Sequence, residues 1–471
     1  MPKPLSTTAS IKALSSNRCQ ARDCTIGSDM SPRPPTAAVI IAISCLICAL
    51  SSAEDDSGTE FQNALFGFGK IDTIAGRGFA DSGNNWNASA EAGAATNAEL
   101  SRPHMAQADA DGNVYIADKD AHAIRMVKLD GTIHTVAGNG LRADGGEGIA
   151  TEIPLLEPNG LYTLPDGTTY ILEIDDLRNG IPAAGGKIRR LGTDGMLTTI
   201  LEDPNLLAGR GLWVSPDESL IYYCSWKTVM KWTPGGGLEE FATDFGQLGD
   251  LGLGNLDVDP VTGLLGVTDR ADHRVYRLSA DGKTRTVIAG NGTDSGGGNG
   301  QAATSTGLEQ VRGIAFRPDG SFFVCTHKGE HAVWFVDTTG TIWKFINGRN
   351  NRHGGDGLAI SSLPLEVISE PRAVSLAPNG DMLITENDDG YIRRVTNICV
   401  ETRLVEFDIP NATLTWTSHR EANYRIERSG DLIDWQTIDT LPAGNGATTS
   451  SLLQRNSSRD YFRAVEVGGN P

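Results

Sequence analysis

Hydrophobic positions in this chain come in short alternating runs of four to six residues, cut by turn residues, and one stretch shows the pattern in full. Between Pro103 and Gly140 the sequence reads PHMAQADADGNVYIADKDAHAIRMVKLDGTIHTVAGNG. Met105–Ala108 is a short apolar run, and Ala110-Asp111-Gly112-Asn113 turns the chain, because Asp, Gly and Asn tolerate the positive φ of tight turns. Val114–Ala117, Ile124–Val127 and Thr132–Val136 are three more runs of β-branched and aromatic residues. The unit is predicted to be a four-stranded antiparallel meander.

Five weaker copies follow, starting near Pro158, Gly209, Gly254, Val311 and Pro371. Equivalent turn glycines Gly112, Gly167, Gly320 and Gly380 give a repeat of roughly 50–60 residues, within reach of four-stranded propeller blades. The sixth copy lacks its fourth run. A matching segment, Gly69-Lys70-Ile71-Asp72-Thr73-Ile74-Ala75-Gly76, stands ahead of the first copy instead. One N-terminal strand can therefore complete the last blade, closing the ring and pairing edges that would otherwise lie open. The expected fold class is all-β: a six-bladed β-propeller over residues 69–397, closed by an N-terminal strand.

The flanks differ in character. Residues 1–53 are read as a basic extension and signal peptide, with the apolar run Ala37–Leu50 and small residues at Ser51 and Ala53 suited to cleavage. Met30 would begin a more ordinary signal. Residues 54–68 are read as a linker. Residues 403–471 hold LVEFDI, ATLTWTS, NYRIERSG, WQTIDTL, TTSSLLQ and DYFRAVEV at roughly 10-residue spacing, the pattern of a small β-sandwich. With 56 glycines and only 6% aromatic residues, short strands and turns fit better than a helix-based core.

Export predicts a secreted, periplasmic or cell-surface protein, off the membrane after cleavage and monomeric. Taking residues 1–53 from a chain of 40 Lys+Arg and 59 Asp+Glu makes it more acidic still, with 35 against 57. That balance argues against nucleic acid and anionic membranes as partners. Cys224 and Cys325 occupy the same position of the second strand in separate blades, so they are expected to be buried and unbridged.

The runs NVYIAD, HAIRMV, GTIHTVAGNG and VTDRADHRVYRL, with GEGIATEIPLLEPNG and HGGDGLAISSLPLEVISEP between blades, resemble bacterial NHL-repeat proteins. That resemblance implies blades whose first strands line a central channel. It implies no single activity. Trp416, Tyr424 and Tyr461 with Arg463 resemble a fibronectin type III-like sandwich, implying a spacer or adhesion module.

At the channel mouth, the first strands offer His104, Asn159, Arg210, Gly254 with Asn255, Arg312 and Arg372. The ends of the second strands offer Asp118, Glu173, Ser225, Asp269, Thr326 and Glu386. Arginine is suited to holding carboxylate, phosphate or sulfate with two prongs. Two readings stay open: the arginines stitch blades together through neighbouring acids, or they bind an anion. The candidate ligand-binding set is His104, Asn159, Arg210, Arg312, Arg372, Asp118, Asp269 and Glu386. The expected function is a binding or scaffold protein that takes a peptide, a protein or an acidic glycan.

The competing expectation is a propeller lyase or hydrolase of the sugar-lactonase or peptide-lyase type. Lactonase relatives hold calcium with acidic and amide residues, a pattern that only Asn159 and Asp269 meet here, and arginines repel a divalent cation. A peptide lyase needs a histidine cluster, and His104 is the one histidine in these two rings. His122, His273 and His331 fall on the repeat's own consensus before the third strand and are read as structural. No cofactor is expected, calcium being the one metal left open.

Overall fold

The computed structural model describes residues 57–397, except 79–82, 176–184, 247–250 and 365, and beyond them six strands between residues 402 and 467. The expected signal segment and the aromatic residues of the C-terminal region lie outside the residues whose side chains are described. Six antiparallel sheets, each a meander running from the centre outward, form the blades of a β-propeller. Blade 1 is Pro103–Ala108, Val114–Asp118, Ala123–Val127 and Ile133–Ala137. Blades 2 to 5 span residues 158–203, 212–242, 253–289 and 311–346. The second strand of each blade is buried along nearly all its length, as a layer covered on both faces must be.

Blade 6 consists of Pro371–Leu376, Met382–Glu386 and Tyr391–Asn397, and its fourth strand is Phe68–Ala75. Ile71 pairs with Val395 and Thr73 with Arg393, so the ring closes as the repeat pattern predicts. Ile71 is fully buried with Phe323, Phe335, Ile384 and Val395 in the core between blades 5 and 6. Interblade segments expected as loops also contribute short pairs. Gly148–Ile149, Gln301–Ala302 and Leu358–Ala359 add a fifth, outermost strand to blades 2, 5 and 6, covering the sheet edge.

Ser57–Gly67, expected as linker, is an 11-residue α-helix. Phe61, Ala64 and Leu65 share one face at i, i+3 and i+4, and that face packs on the blade 5–6 core beside Phe68, the first residue of the closing strand. Phe61 stacks on Trp343 at 5.1 Å, and Glu60 accepts a hydrogen bond from the Thr338 amide at 2.8 Å. Cys224 and Cys325 are buried thiols. The C-terminal strands form two three-stranded antiparallel sheets. One has Asn411–Thr417 between Thr402–Asp408 and Thr448–Gln454, and the other has Asn423–Ser429 between Gln436–Leu441 and Tyr461–Val467.

Candidate functional site at the channel mouth

A repeated irregularity builds the mouth. In five blades the register between first and second strands slips at the same place. It skips His104 in blade 1, Asn159 in blade 2, Gly254 and Asn255 in blade 4, Arg312 in blade 5 and Arg372 in blade 6. A bulge leaves the extra residue out of the ladder and re-aims its side chain. Arg210 stands at the corresponding point just ahead of Leu212–Val214. Close approach follows: a Cβ on Gly160 would lie 2.2 Å from the Arg210 carbonyl oxygen, so only glycine fits there. Asn255 of blade 4 reaches Met105 of the opposite blade at 4.0 Å, so the two side chains meet across the channel.

The acids at the ends of the second strands each have partners within or beside their own blades. Asp118 accepts from the Ser101 amide at 2.6 Å and lies 3.4 Å from Arg125. Glu173 repeats this with the Leu156 amide and Arg189, and Glu386 with the Ser369 amide and Arg393. Asp269 accepts from the amides of Gly246, Ala271 and Asp272. Each acid ties the segment entering its blade to the second strand. Burial nevertheless pushes Asp118 up to about 6, with Arg125 and the Ser101 amide opposing it.

The residue one further on turns to the mouth. These are Lys119, Arg270, His327 and Asn387, none of them in the expected set. The signal was present in VTDRAD, where Arg270 follows Asp269. Lys119 is paired with Glu157 at 2.8 Å. Asn387 accepts a hydrogen bond from Arg372 Nη1 and donates to the Pro103 carbonyl at 2.8 Å.

Arg270, Arg312 and Arg372 are 4, 6 and 7% exposed. Among the described residues, the side chains of Arg270 and Arg312 make no hydrogen bond and no ion pair, and Arg372 has only Asn387. Stitching through acids therefore does not account for them. Burial and the charges of Arg270 and Arg210 hold Arg312 well below its ordinary value, and burial with Arg312, Arg210, Arg270 and Arg102 does the same to Arg372. Burial lowers Arg270 to about 10 against the pull of Asp269. His104 and His327 are driven down by burial and by the same cations, so both imidazoles are neutral.

One acidic pair faces this cluster. Glu370 and Asp388 share a hydrogen bond: burial, then Asp388, raises Glu370 to about 7 against Lys328. Burial also pushes Asp388 up, but Glu370 and the charges of Arg372, Arg102 and Arg312 outweigh it and hold it down. With His327 they place three metal-type ligand atoms within 4.8 Å. A cation already sits there, because Lys328 Nζ is 2.5 Å from Glu370. Glu370 has φ +42, yet Arg102, Ala208 and Gln310 share the left-handed turn before the first strand, so the conformation belongs to the repeat. His122, His273 and His331 likewise take a left-handed turn before the third strand. His273 accepts the Gln310 amide of the next blade at 3.0 Å, a structural tie.

No protein-family model matches the chain, and no curated protein matches it. Solved structures do. A protein of unknown function from Bacteroides thetaiotaomicron aligns with TM-score 0.54 and 14% identity over 70% of this chain and 76% of that one. An auxiliary nutrient binding protein from the same organism aligns with TM-score 0.50 and 14% identity over 69% and 76%. A gluconolactonase from Xanthomonas campestris stands further off, at TM-score 0.43 and 11% identity over 70% and 91%. These likenesses show the β-propeller fold and leave binding and catalysis undivided.

Proposed function

We propose that the protein is an exported binding protein whose propeller mouth holds the acidic group of a peptide, a protein or an acidic glycan. The observation that carries the reading is Arg312: a buried guanidinium that makes no hydrogen bond and no ion pair among the described residues, beside Arg270 in the same condition. Buried charges are normally paired, and an unpaired one costs several kcal/mol, roughly, unless a ligand supplies the partner. The neighbour described as a nutrient binding protein is consistent with a binding role. Export rests on the Ala37–Leu50 run, and no helix among the described residues is long and apolar enough to cross a membrane. We read the blades as NHL-type repeats. The strand order of the two C-terminal sheets supports a fibronectin type III-like spacer.

The test is a glycan and peptide array probed with the full chain, followed by Arg312→Ala and Arg372→Ala. Both variants should lose acidic ligands while keeping the wild-type circular dichroism spectrum. Unchanged binding contradicts the proposal. The second reading, a lyase or hydrolase, draws on Glu370 and Asp388, because a carboxyl group titrating near neutrality suits proton transfer. Turnover of an arrayed ligand, lost in Glu370→Gln, would favour it.

A further inference from the structure

We propose that the outer edge of blade 3 is a docking site for an extended segment of another polypeptide, which adds the strand that this blade lacks. The inference is independent of the anion-binding reading.

The other blades show what belongs there. Short segments ahead of blades 2, 5 and 6 pair with their outermost strands, and on blade 1 Ala94 bridges Thr132. Beneath these covers Ile133, Leu197, Ile342 and Ile71 are all 0% exposed. Their counterpart in blade 3 is Leu238, which stands opposite Trp232 as Ile133 stands opposite Val127. Leu238 is 37% exposed. Chain length gives the reason: residues 138–157 lead into blade 2, but only residues 204–211 lead into blade 3. Among the described residues no strand pairs with the outer side of Gly237–Ala242. An open cavity of about 390 Å³ lies there instead, with Leu207, Trp226, Met230, Leu238 and Glu240 in its lining. Blade 4 also has four strands, but it puts Arg285 at this position, and a charge on an edge deters pairing.

The covers also define the occupant. Ala95, Ala150 and Ala303, each at most 1% exposed, donate their amides to the carbonyls of Gly131, Gly195 and Gly340 at 2.8–3.0 Å. A side chain earlier in each cover accepts an amide of the strand: Glu91 from Thr135, Glu147 from Thr199 and Asn299 from Lys344. The shared pattern is an acceptor, a glycine, a short extended run, a small apolar residue and Thr, as in Asn299-Gly300-Gln301-Ala302-Ala303-Thr304. On blade 3 the equivalent groups are the Gly236 carbonyl and the Glu240 amide. Charge narrows the choice. Lys231 holds Glu239 at 2.7 Å, whereas Glu240 has no ion pair among the described residues. An acidic acceptor would stand against the Glu240 carboxylate, so the acceptor is a neutral amide. A second copy of this strand would set the same acids against each other, which disfavours self-pairing. Backbone bonds along an open edge supply affinity for an extended segment, and the cavity supplies selectivity for its side chains.

The experiment is fluorescence anisotropy of the full chain with a labelled peptide of residues 298–308, GNGQAATSTGL. Saturable binding is expected, together with slower hydrogen exchange at the Leu238 and Glu240 amides. Leu238→Lys, at an exposed position and with the wild-type circular dichroism spectrum, should weaken binding at least about tenfold. A peptide carrying Ala303→Lys or Asn299→Glu should bind the wild type more weakly by a similar factor. No binding of the unaltered peptide up to about 1 mM overturns the proposal, and so does binding that Leu238→Lys leaves unchanged. Slow exchange at Leu238 before peptide is added would mean that this chain already fills the edge. A dimer split by Leu238→Lys would give the edge to a second copy. Either result also overturns the proposal.

Discussion

Arg393 Nη1 and Glu386 Oε1 meet at 2.9 Å with neither side chain exposed. Glu386 also accepts the Ser369 amide, and Arg393 also reaches Asp356 and the Gly354 carbonyl. Removing Glu386 leaves the buried Arg393 with the half-exposed Asp356 as its remaining ion-pair partner, and removing Arg393 leaves Glu386 buried without its cation. Glu386→Ala is therefore expected to lower stability by about 3–5 kcal/mol, and the double variant Glu386→Ala/Arg393→Met by less. Urea denaturation of the three variants checks this, and a double variant worse than the single one contradicts it.

Closure of the ring predicts where protection lies. Ile71 is fully buried at the seam, so Ile71→Ala is expected to cost about 2–5 kcal/mol. Hydrogen exchange should show residues 70–75 of the wild type protected like the inner strands of blade 6. Fast exchange there, with blade 6 protected, would mean the seam is open.

Stability should fall as pH rises from about 4 to about 7. Glu370 is raised to about 7, above the unfolded value of about 4.3, so the native state holds a proton that the unfolded state has lost. The stability this group contributes is complete below about pH 4 and gone above about pH 7. Glu370→Gln should flatten the decline across that window in urea melts at stepped pH. An unchanged slope would assign the proton elsewhere.

Metal should make little difference. Lys328 occupies the side of Glu370 that a cation would need, and guanidiniums face His327. Calcium or zinc should leave the melting temperature unchanged, and Lys328→Ala should be required before either stabilises the protein. Stabilisation of the wild type by stoichiometric metal would favour the enzyme reading.

The blade count and the closing strand were legible because each blade repeats the same turns and because one segment of the pattern is displaced to the other end of the chain. Arg312 and Arg372 were legible as the second residues of their repeats. Asp118 ends its strand and Lys119 opens the short 3-10 turn that follows, so two neighbours in sequence take different partners, Arg125 and Glu157. Nothing in the hydrophobic pattern says at which residue the strand turns into its loop. The helix at Ser57–Gly67 did carry its signal, in Phe61, Ala64 and Leu65 and in the capping-box spacing of Ser57 and Glu60, but so short a stretch beside the repeats read as linker. That Arg270 and Arg312 make no hydrogen bond or ion pair among the described residues is a three-dimensional fact with no trace in the sequence.

The most direct measurement is the thermal unfolding of Arg312→Met beside wild type, with and without an acidic ligand taken from the array. An unpaired buried charge held for a ligand should cost stability when the ligand is absent. Arg312→Met is therefore expected to melt higher than the unliganded wild type, by about 1–4 kcal/mol in stability, and to show no shift on adding the ligand. A lower melting temperature together with an undiminished ligand shift would contradict the account.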